Sequence, residues 1–182
     1  MGITIEDGKG TGKNAGVTDE NKLETEAITS AGELHANKVH GESYTAGFSV
    51  TPTAVGDCFG YMTNNSDDNM IISTLMLRAA TDETIQLKLG DTGTAIDGTD
   101  ITPVNRNAGS GKSADVVAQQ GVDITGLAGG AVVAGIFIKG GESSLQIPIA
   151  SGIIIPKNKT VSFYVVTGAI AVMVGCSIYF HK

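Results

Sequence analysis

Val161-Ser162-Phe163-Tyr164-Val165-Val166 carries apolar residues at 161, 163 and 165, separated by Ser162 and Tyr164. Successive side chains of a strand point to opposite faces, so a period of two reads as a half-buried β-strand and not as a helix. The same alternation recurs in Ile85-Gln86-Leu87-Lys88-Leu89 and in Leu145-Gln146-Ile147-Pro148-Ile149. Four further runs, 58–62, 70–77, 131–138 and 170–180, are apolar on both faces, as expected of central or interface-covered strands. Between them stand turn formers: Asn64-Asn65-Ser66-Asp67-Asp68, Gly90-Asp91-Thr92-Gly93, Lys139-Gly140-Gly141-Glu142 and Pro156-Lys157-Asn158-Lys159. From Tyr44 onward this gives about eight strands and one long irregular insert, 91–130. The predicted fold class is all-β, a jelly-roll-like two-sheet β-sandwich over residues 43–182.

Residues 1–42 differ in composition. They hold eight of the nineteen acids and four of the twelve bases, and open with the glycine-rich Asp7-Gly8-Lys9-Gly10-Thr11-Gly12-Lys13. Their apolar residues are too sparse to close a core, so the stretch is predicted to be an extended N-terminal arm. Within it Leu23, Thr25 and Ala27 alternate with acids as in a short strand, and Ser30-x-x-Glu33 has capping-box spacing for about two helical turns.

Composition bounds the function. The chain is 41% hydrophobic, too apolar for disorder, and its 25 glycines come with only four prolines and no Gly-X-Y period, which excludes collagen. A net charge of −7 with no basic cluster argues against nucleic acid. The longest apolar stretches fall well short of the ~18 residues of a spanning helix, so no membrane partner is expected. The opening residues lack the apolar core of a signal peptide, and synthesis in a host cytoplasm is the expectation. Cys58 and Cys176 lie in apolar strand contexts and are expected as buried, reduced thiols.

Motifs for catalysis or cofactors fail on inspection, and no catalytic residue, cofactor or metal is assigned. The runs Gly8–Asn14 and Gly109–Ser113 match a phosphate loop only in part. Asp7 and Arg106 stand where the Walker pattern needs its first glycine, and neither run follows an apolar strand or opens a long helix. His35, His40 and His181 have no metal-ligand spacing, and no Gly-x-Ser-x-Gly elbow occurs. Asp91, Asp97 and Asp100 share a flexible glycine-threonine loop, where oxygen ligands for calcium and solvated turn aspartates are the alternatives.

What remains is surface. So few charges on so apolar a β domain predict that another chain covers part of it. The strand 170–180 fits either a core on one side and a subunit contact on the other, with Val172, Val174, Ile178 and Phe180 as contact candidates, or a fully buried central position.

Three segments carry a resemblance. Residues Ile3-Thr4-Ile5-Glu6-Asp7-Gly8-Lys9-Gly10-Thr11-Gly12-Lys13-Asn14-Ala15-Gly16-Val17-Thr18, the middle run Ile101-Thr102-Pro103-Val104-Asn105-Arg106-Asn107-Ala108-Gly109-Ser110-Gly111-Lys112, and the late run Ile153-Ile154-Ile155-Pro156-Lys157-Asn158-Lys159-Thr160-Val161 resemble tailed-phage capsid decoration (cement) and head-fibre proteins. The resemblance implies a non-enzymatic virion protein, a homotrimeric β-sandwich on the outer face of the phage head with the major capsid protein as partner. Ile3, Ile5, Val17, Leu23 and Ile28 of the arm are then the capsid-contact candidates. The alternative is a head-fibre or tail module for host or glycan attachment through loop 91–130, a loop that contains no Phe or Tyr for a sugar platform.

Overall fold

The computed structural model describes residues 5–6, 14–15, 32–141 and 143–181, which fall into two units, Met1–Ala31 and Gly32–Lys182. In the first unit β1 (Ile5–Glu6) pairs antiparallel with β2 (Asn14–Ala15). The predicted strand near Leu23 and the arm candidates Ile3, Val17, Leu23 and Ile28 lie outside the described residues; of Ile5 only the backbone pairing is described.

The second unit begins eleven residues before the predicted domain boundary at Ser43. A helical segment opens it, α1 (Gly32–His35) running into a π-helical turn, Ala36–His40, so the predicted two turns are present. Gly41 ends them at φ +65, a left-handed conformation that glycine adopts without a Cβ penalty. Its amide and that of Glu42 reach back to the Asn37 and Ala36 carbonyls at 3.2 and 3.1 Å. Ser30 of the predicted capping box lies outside the described residues; Glu33 accepts from Ser73 Oγ at 2.6 Å, from Ser43 Oγ at 3.4 Å and from Arg106, which clamps the segment to the sandwich.

Thirteen strands follow: β3 (Ser43–Val50), β4 (Cys58–Asn64), β5 (Asn69–Ala79), β6 (Glu83–Leu89), β7 (Thr92–Ile96), β8 (Thr99–Asp100), β9 (Val104–Asn105), β10 (Val116–Gln120), β11 (Thr125–Ala128), β12 (Ala131–Ile138), β13 (Leu145–Ile155), β14 (Thr160–Val165) and β15 (Val172–His181). They form two large antiparallel sheets packed face to face as a β-sandwich. One has the order β12-β6-β14-β4-β10-β8 and the other β13-β5-β15-β3-β9. Eight strands have six residues or more, as counted from the sequence: β6, β13 and β14 match the runs with a period of two, and β4, β5, β12 and β15 the runs apolar on both faces. Along the chain the eight switch sheet at every step but one, from β6 to β12, which pair with each other: β3, β5, β13 and β15 lie in the five-stranded sheet and β4, β6, β12 and β14 in the six-stranded one.

One continuous core fills the space between the sheets, where Phe48, Phe59 and Phe163 meet with ring centroids 5.5 and 6.2 Å apart. Gly60 stands at this junction because a Cβ there would lie 3.1 Å from the Phe48 ring. On β14 the apolar positions Val161, Phe163 and Val165 face this core, as alternation requires. The outer positions Thr160, Ser162 and Tyr164 are buried too, so the strand predicted as half-buried is covered on both faces.

The strand β15 lies between β5 and β3. Val172, Val174, Ile178 and Phe180, expected at a subunit contact, are buried inside the sandwich, where Cys176 joins them. The reason is parity: they occupy the positions that share the inner face, while Met173, Gly175, Ser177 and Tyr179 point outward. The strand is central in its sheet with the core on one face, while its other face stays partly open, Met173 being 43% exposed, so it is not fully buried.

The insert 91–130 is more regular than its composition foretold. β10 extends the six-stranded sheet beside β4, β8 pairs with β10, β9 pairs with β3, and β7 and β11 form a separate ribbon. Strands of two to five residues, rich in glycine and threonine, have no hydrophobic period of their own. β9 and β10 form where the edges of β3 and β4 offer unpaired N–H and C=O groups, β8 adds to β10, and β7 and β11 satisfy each other. Among the described residues no helix is long and apolar enough to cross a membrane.

Candidate functional site

Polar chemistry is concentrated where the insert joins the six-stranded sheet. Asp91, only 4% exposed, receives hydrogen bonds on Oδ2 from Ser162 Oγ at 2.5 Å and from the Tyr164 hydroxyl at 3.0 Å, and on Oδ1 from the Gly130 amide at 2.8 Å. Its carbonyl accepts from Thr160 Oγ1 at 2.7 Å. Both ends of the insert are therefore tied to the outer face of β14 by one side chain. Gly130 is required there, since a Cβ would come within 2.4 Å of Asp91 Oδ1. Above the same face Cys58, Tyr61 and Tyr164 pack with Ile124, Ala95 and Leu127 as a second small core, and Lys88 Nζ sits 3.7 Å over the Tyr164 ring.

This cluster combines a carboxyl, a serine, a tyrosine, a thiol and a lysine, yet its protonation states fit structure better than catalysis. Burial pushes the Cys58 thiol up to about 12, against hydrogen bonds from its neighbours that act the other way. Burial also raises Tyr164, helped by the nearby Cys58 and Asp91 charges. At neutral pH neither is a nucleophile or a base. Both thiols, Cys58 and Cys176, are buried and free, as the sequence indicated.

The three aspartates weighed as calcium ligands do not converge. Asp91 turns inward to Ser162 and Tyr164, Asp97 occupies a turn at φ +66, and Asp100 accepts from Gln119 Nε2 at 2.8 Å. Among the described residues no group of three or more His, Cys, Asp or Glu is arranged to hold a metal. His35 and His40 make an edge-on ring contact at 5.3 Å on the helical segment, and His181 is exposed on β15.

The loop 109–113 closes on itself. The Gly109 amide donates to Asn107 Oδ1 and the Lys112 amide to Ser110 Oγ, each at 3.2 Å, while Lys112 Nζ pairs with Glu42 at 2.6 Å. Amides with internal acceptors are not a phosphate cradle.

Two other carboxyls lock loops. Burial would push Glu83 up, but amides of Thr167, Val166 and Thr84 outweigh it and hold the group below its ordinary value. Asp57 follows the same logic, its burial overcome by the Thr53 hydroxyl and the Ala54 and Thr53 amides.

The surface feature that stands apart is one side of the sandwich. The insert seals the β3/β4 side with β8, β9 and β10; on the β12/β13 side the described residues supply no such cover. There Phe137 is 62% exposed, Val132 53%, Val133 49% and Leu145 42%. Leu145 and Ile147 pair with Leu77 and Leu75, and so share the inward face. They remain partly exposed because no strand closes the mouth between the sheets. At one end a cleft of about 340 Å³ is lined by Leu89, Gly90, Ile154, Ile155, Pro156, Lys159 and Thr160.

From sequence, 131–138 belongs among central or interface-covered strands, and the topology removes the first option, since β12 is a sheet edge. Sequence reasoning does not single out Phe137, Val132, Val133 or Leu145. The usable signal is the lack of any charged residue in β12 or β13. No family model, curated protein or solved structure matches this chain.

Proposed function

We propose that the chain is a non-enzymatic virion structural protein, a capsid decoration or cement protein that sits on the outside of a tailed-phage head. It acts there as a homotrimer with the major capsid protein as partner. The observation that carries the reading is the asymmetry of the sandwich: among the described residues one side is sealed by the insert, and the opposite side is uncovered, apolar and, along β12 and β13, uncharged. Such a surface is rare on a chain that works alone. The distribution of the eight long strands, four to each sheet with only the step from β6 to β12 staying within one sheet, supports a jelly-roll reading, an architecture used by viral capsid domains. The resemblance of the glycine-rich opening, the middle run and the late run to decoration proteins points the same way.

The mechanism is mass action. A ligand that binds only the assembled shell stabilises it by the free energy of its binding, so a trimer seated across capsomer contacts must be released before those contacts part. Residues 1–31 are suited to docking by strand addition, main-chain hydrogen bonds giving affinity and alternate side chains giving register, with Ile3, Ile5, Val17, Leu23 and Ile28 as anchors.

The test is co-sedimentation with empty phage heads, comparing the full chain with a variant lacking residues 2–28. Binding by the full chain and its loss in the variant are expected. Undiminished binding refutes the arm as the docking element. Failure of the full chain to bind heads, together with binding to host cells or glycans, replaces decoration by host attachment.

A further inference from the structure

We infer that the β12/β13 side of the sandwich is the surface through which copies of this chain meet, with the outer edge of β12 at its centre. The inference rests on the oligomeric part of the function proposed above and is independent of the capsid part.

An edge strand presents a row of unpaired N–H and C=O groups, and proteins that remain single blunt it with charge, proline, bulges or a covering element. On this protein the two edges of the same side are treated differently. β13 carries Pro148 and an irregularity between Pro148 and Ile153, where Gly152 adopts φ +65, so its outer edge is poorly formed for continuing the sheet. β12 has one bulge between Val132 and Ala134 and no proline or charge over its eight residues, about 27 Å of edge at ~3.4 Å per residue. Beyond the bulge, Gly135 to Ile138 pair in regular register with β6, and among the described residues no strand pairs with the other side.

Charge selects the occupant. Two copies each bearing −7 repel, and their cheapest contact is one that brings no carboxylates together. Neither β12 nor the eleven residues of β13 include a charged side chain, and Lys88, the residue paired with Val132, is held over the Tyr164 ring. A basic or acidic partner would find nothing to pair with here, whereas a second copy of the same neutral surface matches it. Size agrees: the two strands come close to the roughly 20–30 residues that each side of a standard interface contributes. Apolar side chains at the mouth, Ile136, Ile147 and Leu145, would lose their remaining exposure when the neighbour closes it.

Light scattering on the full chain at micromolar concentration tests this with three single variants, each checked for fold by circular dichroism. Wild type is expected at a multiple of 18.6 kDa, three under the trimer reading. Phe137→Glu and Val132→Lys, both at exposed outward positions, are expected to bring the mass down to one chain. Met173→Glu, exposed on the outer face of the other sheet, is expected to leave it unchanged.

A monomeric wild type overturns both the oligomer and this edge. A monomeric wild type that loses head binding on Phe137→Glu assigns the edge to the capsid protein instead. An oligomer that survives Phe137→Glu and Val132→Lys but dissociates on Met173→Glu overturns the edge alone and moves the contact to the sheet face. Amide exchange needs no variant: β12 outer-edge amides are expected to be slow in the assembled wild type, and fast exchange there refutes strand pairing.

Discussion

Removing the Asp91 side chain is the sharpest test of how the insert is held. In Asp91→Ala two buried donors, Ser162 Oγ and the Tyr164 hydroxyl, and the part-buried Gly130 amide lose their acceptor at once. A buried polar group left unpaired costs about 1–3 kcal/mol, so the unrelieved loss is about 3–9 kcal/mol. The two hydroxyls can turn toward other acceptors and water can enter the vacated space, which reduces the expected loss to about 3 kcal/mol. With a urea slope of about 2 kcal/mol/M, the unfolding midpoint should fall by about 1.5 M. Asp91→Asn keeps one acceptor oxygen and should lose about a third as much. The insert also covers Cys58 but not Cys176, which lies between the sheets. Thiol labelling of Asp91→Ala under native conditions should therefore accelerate at Cys58 and stay slow at Cys176. A midpoint within ~0.3 M of wild type with unchanged Cys58 labelling would refute the anchoring role, because it would mean that the three donors have equally good partners without Asp91.

In the wild type both thiols should resist a disulfide reagent at pH 8, since burial raises Cys58 to about 12 and also raises Cys176; two equivalents released before unfolding would contradict this. Glu83 is held below its ordinary 4.5, so the stability tied to its ionisation is present above pH 4.5 and is lost as pH falls through its lowered native value. Glu83→Gln should accordingly flatten the acid side of a urea-midpoint profile taken from about pH 3 to pH 7, and an unchanged acid slope would exclude the group as its source. Asp123 is shifted the other way, by burial and then by the Asp57 and Asp97 charges, so its ionisation opposes folding as pH rises through its raised value. Asp123→Asn should raise the midpoint at neutral pH, and a lowered midpoint would count against that sign. Gly60→Ala places a methyl against the Phe48 and Phe163 rings and should cost about 1–3 kcal/mol by overpacking, measurable in the same urea assay.

Local pattern carried the strands because side-chain parity is a property of the extended backbone itself. Val161, Phe163 and Val165 had to share a face whatever they packed against, and β6, β13, β14 and the all-β class follow from such readings, while β4, β5, β12 and β15 follow from uninterrupted apolar runs. The helical turns near Glu33 were equally legible from spacing, but the partner of Glu33 was not, since Ser73 and Arg106 are brought to it only by the sheet.

Tertiary structure decided everything that depends on which strand lies beside which. An uninterrupted apolar run looks the same whether it is central or at an edge. Thus Val172, Val174, Ile178 and Phe180, expected at a subunit contact, fill the core, while β12, equally apolar, stands at the rim with Phe137 in solvent. The insert 91–130 shows the converse: its short strands have too few apolar residues to announce themselves and exist because β3 and β4 offer edges to β9 and β10 and because β7 and β11 pair with each other. Strand existence is written in successive residues, whereas exposure is set by pairings between residues far apart in the chain, and the uncharged edge of β12 belongs to the second kind.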